Sequence, residues 1–107
     1  MKPLPPSQRE KTRYMKFRVH SEKKAALGDV VDAVWDSALD YLGTSGTGEA
    51  NFWDIGNKYS EDDQEGVVRV NRDMENDFRA ALCLVDKIDG RDGFLEVLKT
   101  SGSIKNL

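Results

Sequence analysis

The chain has 107 residues, of which 38% are hydrophobic and 33% charged, with a formal net charge of -3. That size and composition indicate one small globular domain with a single core. No apolar run approaches the roughly 18 residues of a bilayer-spanning helix, and the first residues lack the apolar stretch of a secretory signal. We therefore expect a cytoplasmic protein with no membrane partner. Residues 1–10 hold all three prolines and predict a flexible arm before one domain at residues 11–107.

Charge is distributed unevenly along the sequence. Residues 1–24 contain eight lysines and arginines against two glutamates, whereas the remainder contains eight against seventeen acidic residues. Such asymmetry predicts a polarised surface with one side for an anionic partner.

The first predicted element is a strand over "KTRYMKFRVH", residues 11 to 20. Side chains alternate between the two faces of a strand. One face therefore carries Met15, Phe17 and Val19 for the core, and the other carries Lys16 and Arg18, together with Tyr14 and His20.

A helix follows, because apolar residues recur at helical spacing through "ALGDVVDAVWDSALDYLG". We predict that Gly43 ends it as a left-handed cap and that "GTSGTGEA" is a loop. Four aspartates form a row on the polar side of this helix: Asp29, Asp32, Asp36 and Asp40. Such a row is typical of a solvated face rather than of a metal site.

The second half of the chain predicts a hairpin, a helix and a last strand. "ANFWDIGNKY" and "GVVRVN" have strand character and are joined by a polar turn, with a bulge or early end at Gly56. In "NRDMENDFRAALCLVDKIDG" a helical stripe runs from Met74 to Ile88, and Cys83 is expected to be a small core residue. "GFLEVLKT" closes the domain as a strand.

The predicted order is therefore β-α-β-β-α-β. It indicates the α+β class and a ferredoxin-like sandwich, with two helices on one face of a four-stranded antiparallel sheet. The second sheet face is left for a partner, and the fold alone does not assign a function.

The residue types argue against a catalytic or metal site in this chain. One cysteine and one histidine cannot build a disulfide or a multi-histidine metal site. The acidic stretch around Glu61 to Glu65 lacks the ligand spacing of a calcium loop, and the glycines after residue 42 do not precede a predicted helix as a phosphate cradle would. An acylphosphatase-like enzyme would resemble its family by an arginine in a glycine-rich loop after the first strand, where this chain has "SEKKAALGD". We expect no catalytic residue, metal or cofactor here.

Two classes of binding function remain. In the first, the chain binds RNA phosphates through Arg13, Lys16, Arg18, Arg69 and Arg72, with Arg13, Lys16, Arg18 and Arg69 on one surface. Base stacking on the sheet is not expected, because "GVVRVN" has no aromatic residue. In the second, the chain is a ligand-sensing or protein-interaction module, and its basic strand is merely solvated.

Four stretches in this order resemble one known family: "LPPSQREKTRYMKFRV", "AVWDSALDYLG", "GVVRVNRD" continuing to "FRAALCLVDKIDG", and "TSGSIKNL". From about Leu4 to Leu107 the chain is similar to the archaeal ribonuclease P protein component 2 family, which is related to a eukaryotic subunit of ribonucleases P and MRP. The ordered combination carries the resemblance, since no single motif is diagnostic.

The resemblance implies a noncatalytic subunit of the ribonucleoprotein that removes the 5′ leader from precursor tRNA. Magnesium ions would lie on the RNA subunit, and the partners would be ribonuclease P RNA, precursor tRNA and a barrel-shaped protein subunit, component 3. The family pattern adds Arg79 and Lys105 to the candidate RNA-binding residues. The acidic stretch "WDIGNKYSEDDQEG" is expected to face away from RNA or toward a basic protein.

Overall fold

The structure is a computed structural model that describes residues 12–54 and 58–107. The predicted arm at residues 1–10 and the predicted bulge at Gly56 lie outside the described residues. Within the described ranges there are two α-helices, α1 at Leu27–Ala50 and α2 at Glu75–Cys83. The strands are β1 at Thr12–Ser21, β2 at Trp53–Asp54, β3 at Glu65–Asn71, β4 at Lys87–Ile88 and β5 at Arg91–Ser101. Short 3-10 turns occupy Arg72–Met74 and Ile104–Asn106.

The strands form one antiparallel sheet in the order β2-β3-β1-β5-β4, with β1 in the centre. Strands β2, β3, β1 and β5, together with the two helices, reproduce the predicted ferredoxin-like α+β fold, so the fold class is confirmed. The two-residue strand β4 is an addition at one edge that the sequence pattern did not predict.

The core lies between the sheet and the helices, where the alternation of β1 predicted it. Met15, Phe17 and Val19 are all buried, and they join Val30 of α1 and Phe78 of α2 in one hydrophobic cluster. Since the same face of β3 supplies Val68 and Val70, the opposite face of the sheet is the one not covered by helices.

The first helix is longer than predicted. Gly43 has φ 73° and ψ 179°, so it interrupts the helical geometry in a conformation that favours glycine. The chain then resumes a helix up to Ala50, and the prediction of a loop over "GTSGTGEA" was wrong. Thr47 and Ala50 are buried in this second segment, so tertiary packing overrides the low helix propensity of the glycines.

The predicted strand over "ANFWDIGNKY" is reduced to two described residues. Ala50 still belongs to α1, and Asn51 closes that helix in a left-handed conformation with φ 45°. Among the described residues of this stretch, Trp53 and Asp54 pair with β3, which confirms the hairpin partner.

The second helix is shorter than predicted and ends at Cys83. Asp89 and Gly90, both with positive φ, form a tight turn that pairs β4 with β5, so Ile88 is a strand residue. The prediction of a buried Cys83 was also wrong, because its side chain is exposed. The buried side of α2 is formed by Phe78, Ala81 and Leu82 instead.

Candidate nucleic-acid interface

The uncovered sheet face, which we call the open face, collects charged side chains from three neighbouring strands. Residues directly opposite each other in an antiparallel pair project to the same face. On β1 the open face carries Tyr14, Lys16 and Arg18, and the residues of β3 and β5 opposite them project to the same face. This pairing identifies the charged side chains at the centre of the open face. They are the cations Lys16, Arg18, Arg69 and Lys99 and the carboxylates Glu65 and Glu96. In this central part of the face, four cations against two carboxylates give a positive balance within an acidic chain. Nearer the edge, Asp92 is paired with Lys87, which leaves that balance unchanged.

Lys99 belongs to this face because of an irregularity in β5. Lys16 is opposite Lys99, but the next residue, Phe17, is opposite Val97, so Leu98 is an extra residue. Simple alternation from Glu96 would turn Lys99 toward the core. The bulge reverses the alternation, which is why the sequence pattern missed this cation.

Glu65 holds the two basic side chains of β1 in place. Arg18 donates from Nη2 and Nε to Oε2 of Glu65, at 2.6 Å and 3.0 Å. Lys16 Nζ lies 3.5 Å from Oε1 of the same carboxylate. The hydrogen bond from Arg18 lowers the pKa of Glu65, with a further Coulomb contribution from Arg18 and Lys16. The same bond raises the pKa of Arg18.

We expect the stability contributed by Glu65 to depend on pH. Because its pKa is lowered in the folded state, the contribution is fully present above the unfolded value of about 4.3 and is lost as the pH falls through the lowered pKa. Urea unfolding of wild type and Glu65→Gln at pH 7, 5 and 3 would measure it. The free-energy difference should be small and positive at pH 7 and 5 and should shrink toward pH 3.

High salt provides the control for this measurement, since it screens a partly exposed ion pair and should reduce the difference at pH 7. A difference that stays constant across the pH range would contradict this account of Glu65.

Arg13 and Arg79 lie apart from the open face. Arg13 is opposite Val70, which points into the core, so its side chain starts on the helix side of the sheet. Its Nε lies 3.3 Å from Oε1 of Glu75 at the start of α2. Arg79 donates from Nη2 to Oγ1 of Thr100 at 2.6 Å and lies 3.8 Å from Glu75. The prediction of one surface that includes Arg13 was therefore wrong, because strand alternation and Glu75 place this side chain on the other side.

The remaining predicted cations lie near the ends of strands. Arg69 is half-buried in β3, and Arg72 is exposed in the 3-10 turn after that strand. Lys105 is exposed in the C-terminal 3-10 turn. Other residues of this terminal segment reach the open face, where a recess of about 210 Å³ is lined by Lys16, Lys58, Val67, Ile104 and Leu107. The C-terminal segment thus covers part of the open face, which the sequence pattern did not predict.

Besides Tyr14 and His20, which the alternation of β1 predicted there, the open face carries two aromatic side chains that the sequence pattern did not predict, Phe94 and Trp53. His20 stacks on Phe94 with ring centroids 4.5 Å apart, and its Nε2 is 2.9 Å from Oε1 of Glu96. Trp53 lies opposite Arg69 on β2 and is 63% exposed. A signal was available in "FWD", because two adjacent aromatic residues in a strand must point to opposite faces.

The helix side has the opposite charge. A groove of about 420 Å³ lies between α1 and the segment that connects α2 to β4. Asp36, Asp40 and Asp86 line it together with one cation, Lys87, and the exposed side chains of Tyr41 and Leu84, so carboxylates outnumber cations in the groove. This face can attract a cationic partner, whereas the open face attracts an anionic one.

The part of the chain that the structure describes contains no group of three or more histidine, cysteine or acidic residues placed to hold a metal ion. Over residues 12–54 and 58–107, no helix combines the length and apolar character needed to cross a bilayer.

These elements form a two-layer α+β sandwich of the ferredoxin-like class, with a positive open sheet face. A family model described as the Rpp14/Pop5 family matches residues 13–107. The chain belongs to this family, whose archaeal members include ribonuclease P protein subunits.

Curated relatives support the assignment over nearly the whole chain. "Ribonuclease P protein component 2" of Pyrococcus furiosus is 39% identical over 99% of this chain and 87% of its own length. The protein of the same name from Methanosarcina acetivorans is 33% identical over 98% of this chain and 76% of its own length. A chain from the "Cryo-EM structure of yeast Ribonuclease MRP" has a TM-score of 0.71 at 16% identity, covering 90% of this chain and 77% of that chain. At that identity the yeast structure shows a shared fold.

Proposed function

We propose that this chain is a noncatalytic, RNA-binding subunit of ribonuclease P. It binds phosphates of the ribonuclease P RNA through the open face and supports the catalytic RNA in removing the 5′ leader from precursor tRNA. The observation that carries the proposal is the positive balance of the open face in a chain that is acidic overall. Its curated relatives carry the name of ribonuclease P subunits.

The open face suits phosphate binding because its cations cannot turn away from solvent. Lys16 and Arg18 alternate with Met15, Phe17 and Val19, which are buried on the other face. Turning a charged side chain into that core would cost several kcal/mol. Strands also hold the cations at fixed spacing, and phosphate contacts made this way position an RNA without reading its bases.

Catalysis is assigned to the RNA in this proposal, together with the magnesium ions. The chain itself needs no cofactor for such a role. Its histidine is engaged with Phe94 and Glu96, so it is not arranged as a general base beside a nucleophile.

We further propose that a barrel-shaped ribonuclease P protein subunit, component 3, covers part of the helix side. The groove beside Tyr41 and Leu84 supports this assignment, because it combines exposed apolar side chains with the carboxylates of α1. The expected compartment of the assembled particle is the cytoplasm.

Reconstituted cleavage of precursor tRNA tests the function. Ribonuclease P RNA and the other protein subunits are assayed in magnesium with and without this chain, and the 5′ leader is quantified. We expect cleavage to fall when the chain is omitted and to return when it is added, while the chain without RNA cleaves nothing. Cleavage by the RNA-free chain would refute the noncatalytic role, and cleavage that is indifferent to the chain would refute the subunit role.

A further inference from the structure

We infer that Trp53 is a stacking platform for an unpaired nucleobase, next to the phosphate-binding cations of the open face. The ligand is a single-stranded RNA segment, with its base on the indole ring and its phosphate at Arg69. The inference rests on the proposed function and deepens it, because it adds a contact with a base to the phosphate contacts of that proposal.

The orientation of Trp53 follows from the residue before it. Phe52 is buried, with its ring 4.7 Å from that of Phe78 and 4.5 Å from that of Trp35. Phe52 directly precedes β2, and the anchoring of its ring in the core leaves Trp53, the next residue, to project to the other side of the sheet. The register with Arg69 then places the indole on the open face.

Trp53 remains 63% exposed in this position, the largest exposed fraction among the large hydrophobic side chains of the described residues. Within those residues no aromatic ring stacks on it. Phe94, the other exposed aromatic residue of the open face, already has one ring face covered by His20. Among the described residues, Trp53 is therefore the most exposed aromatic surface that this face offers to a base.

The neighbours of Trp53 select an RNA segment rather than an apolar partner. Arg69 lies directly opposite it and forms no ion pair with any described residue, and Tyr14 follows on β1. A row of tryptophan, arginine and tyrosine next to Lys16 and Arg18 combines an aromatic platform with a cationic track. Proteins that bind single-stranded nucleic acids combine the same two elements, because the bases stack while the backbone is neutralised.

The two tryptophans of the chain make the test specific. Trp35 lies on α1 against Phe52, on the other side of the sheet. Trp35→Phe leaves Trp53 as the sole tryptophan, and Trp53→Phe leaves Trp35. Each full-length variant is titrated with an oligouridylate of eight nucleotides and with an abasic ribose-phosphate chain of equal length, while tryptophan emission is recorded.

We expect oligouridylate to quench the emission of Trp35→Phe, and the abasic chain to leave it unchanged. The emission of Trp53→Phe should respond to neither ligand. Trp53→Ala should weaken oligouridylate binding roughly 10-fold, since each stacked base contributes on the order of 1–3 kcal/mol, and should leave binding of the abasic chain unchanged. Circular dichroism and thermal melting establish that each variant is folded.

Equal quenching by the two ligands, or an unchanged affinity of Trp53→Ala for oligouridylate, would overturn the inference. It would also be overturned if Trp53→Ala lost binding to the protein partner while keeping oligouridylate, because Trp53 would then be a protein contact. The two proposals fail separately. Cleavage that depends on the chain without base-dependent quenching rejects only stacking, whereas quenching without any effect on reconstituted cleavage rejects only the ribonuclease P role.

Discussion

Alanine substitution of both Lys16 and Arg18 is expected to lower the slope of log affinity against log salt for RNA binding by roughly 1.4–1.8. Each phosphate contact releases condensed counterions, which contributes on the order of 0.7–0.9 to the slope of log affinity against log salt. Both side chains lie on the open face and are held outward by Glu65. Affinity should fall to a similar extent for RNAs of different sequence, because phosphates carry no base identity. Filter binding at several salt concentrations measures both quantities.

The matched control is Lys87→Ala combined with Arg91→Ala. These two cations are also exposed and paired with carboxylates, Asp92 and Asp89, but they lie in the β4–β5 hairpin, at the edge of the sheet opposite β2. This variant has the same net charge as the first one and should keep the wild-type slope. An equal decrease of the salt slope in both variants would show that only the total charge matters. An unchanged slope in the Lys16/Arg18 variant would mean that the basic strand binds another partner.

Replacement of Phe78 with alanine is expected to reduce the free energy of unfolding by about 3–5 kcal/mol, the usual cost of deleting a buried aromatic ring. Phe78 is fully buried between the helices and the sheet, where its ring packs on Phe52 at 4.7 Å. Native domains have total free energies of unfolding of about 5–15 kcal/mol, so the variant would lose a large part of its stability. Urea unfolding followed by circular dichroism measures the change.

Cys83→Ala, on the same helix, is the control for that measurement. Its side chain is exposed, so the expected change is within about 0.5 kcal/mol. If Phe78→Ala does not fold at all, Phe78→Leu provides a milder deletion that should still be clearly less stable than wild type. A loss below about 1 kcal/mol in Phe78→Ala would mean that Phe78 is not a central core residue.

The local periodicity of the sequence determined the faces of the main elements. Met15, Phe17 and Val19 are buried as their alternation in β1 predicted, and Val30, Val34 and Ala38 are buried along one side of α1. Such patterns can be read from the chain alone because strand and helix geometry repeat every 2 and 3.6 residues. The order of these elements was enough to predict the fold class, and ordered motifs along the chain predicted the family.

Element ends depended on contacts that are distant in sequence. The glycine-rich stretch after Gly43 reads locally as a loop, yet burial of Thr47 and Ala50 continues the helix. Ile88 has helical spacing from Phe78 and Leu82, yet pairing of β4 with β5 makes it a strand residue. In both cases packing and strand pairing outweigh intrinsic preferences of about 1 kcal/mol per residue.

Some residues of the open face could be predicted from the sequence, and others could not. Lys16 and Arg18 were assigned to one outward face by the sequence itself, because alternation along a single strand is a local property. Lys99 and Trp53 reach that face only through tertiary structure. A bulge in β5 reverses the alternation at Leu98, and the burial of Phe52 fixes the side on which β2 presents its tryptophan. The sequence alone therefore determined that a basic face exists, while strand register, which depends on pairing between distant segments, decided which side chains share it.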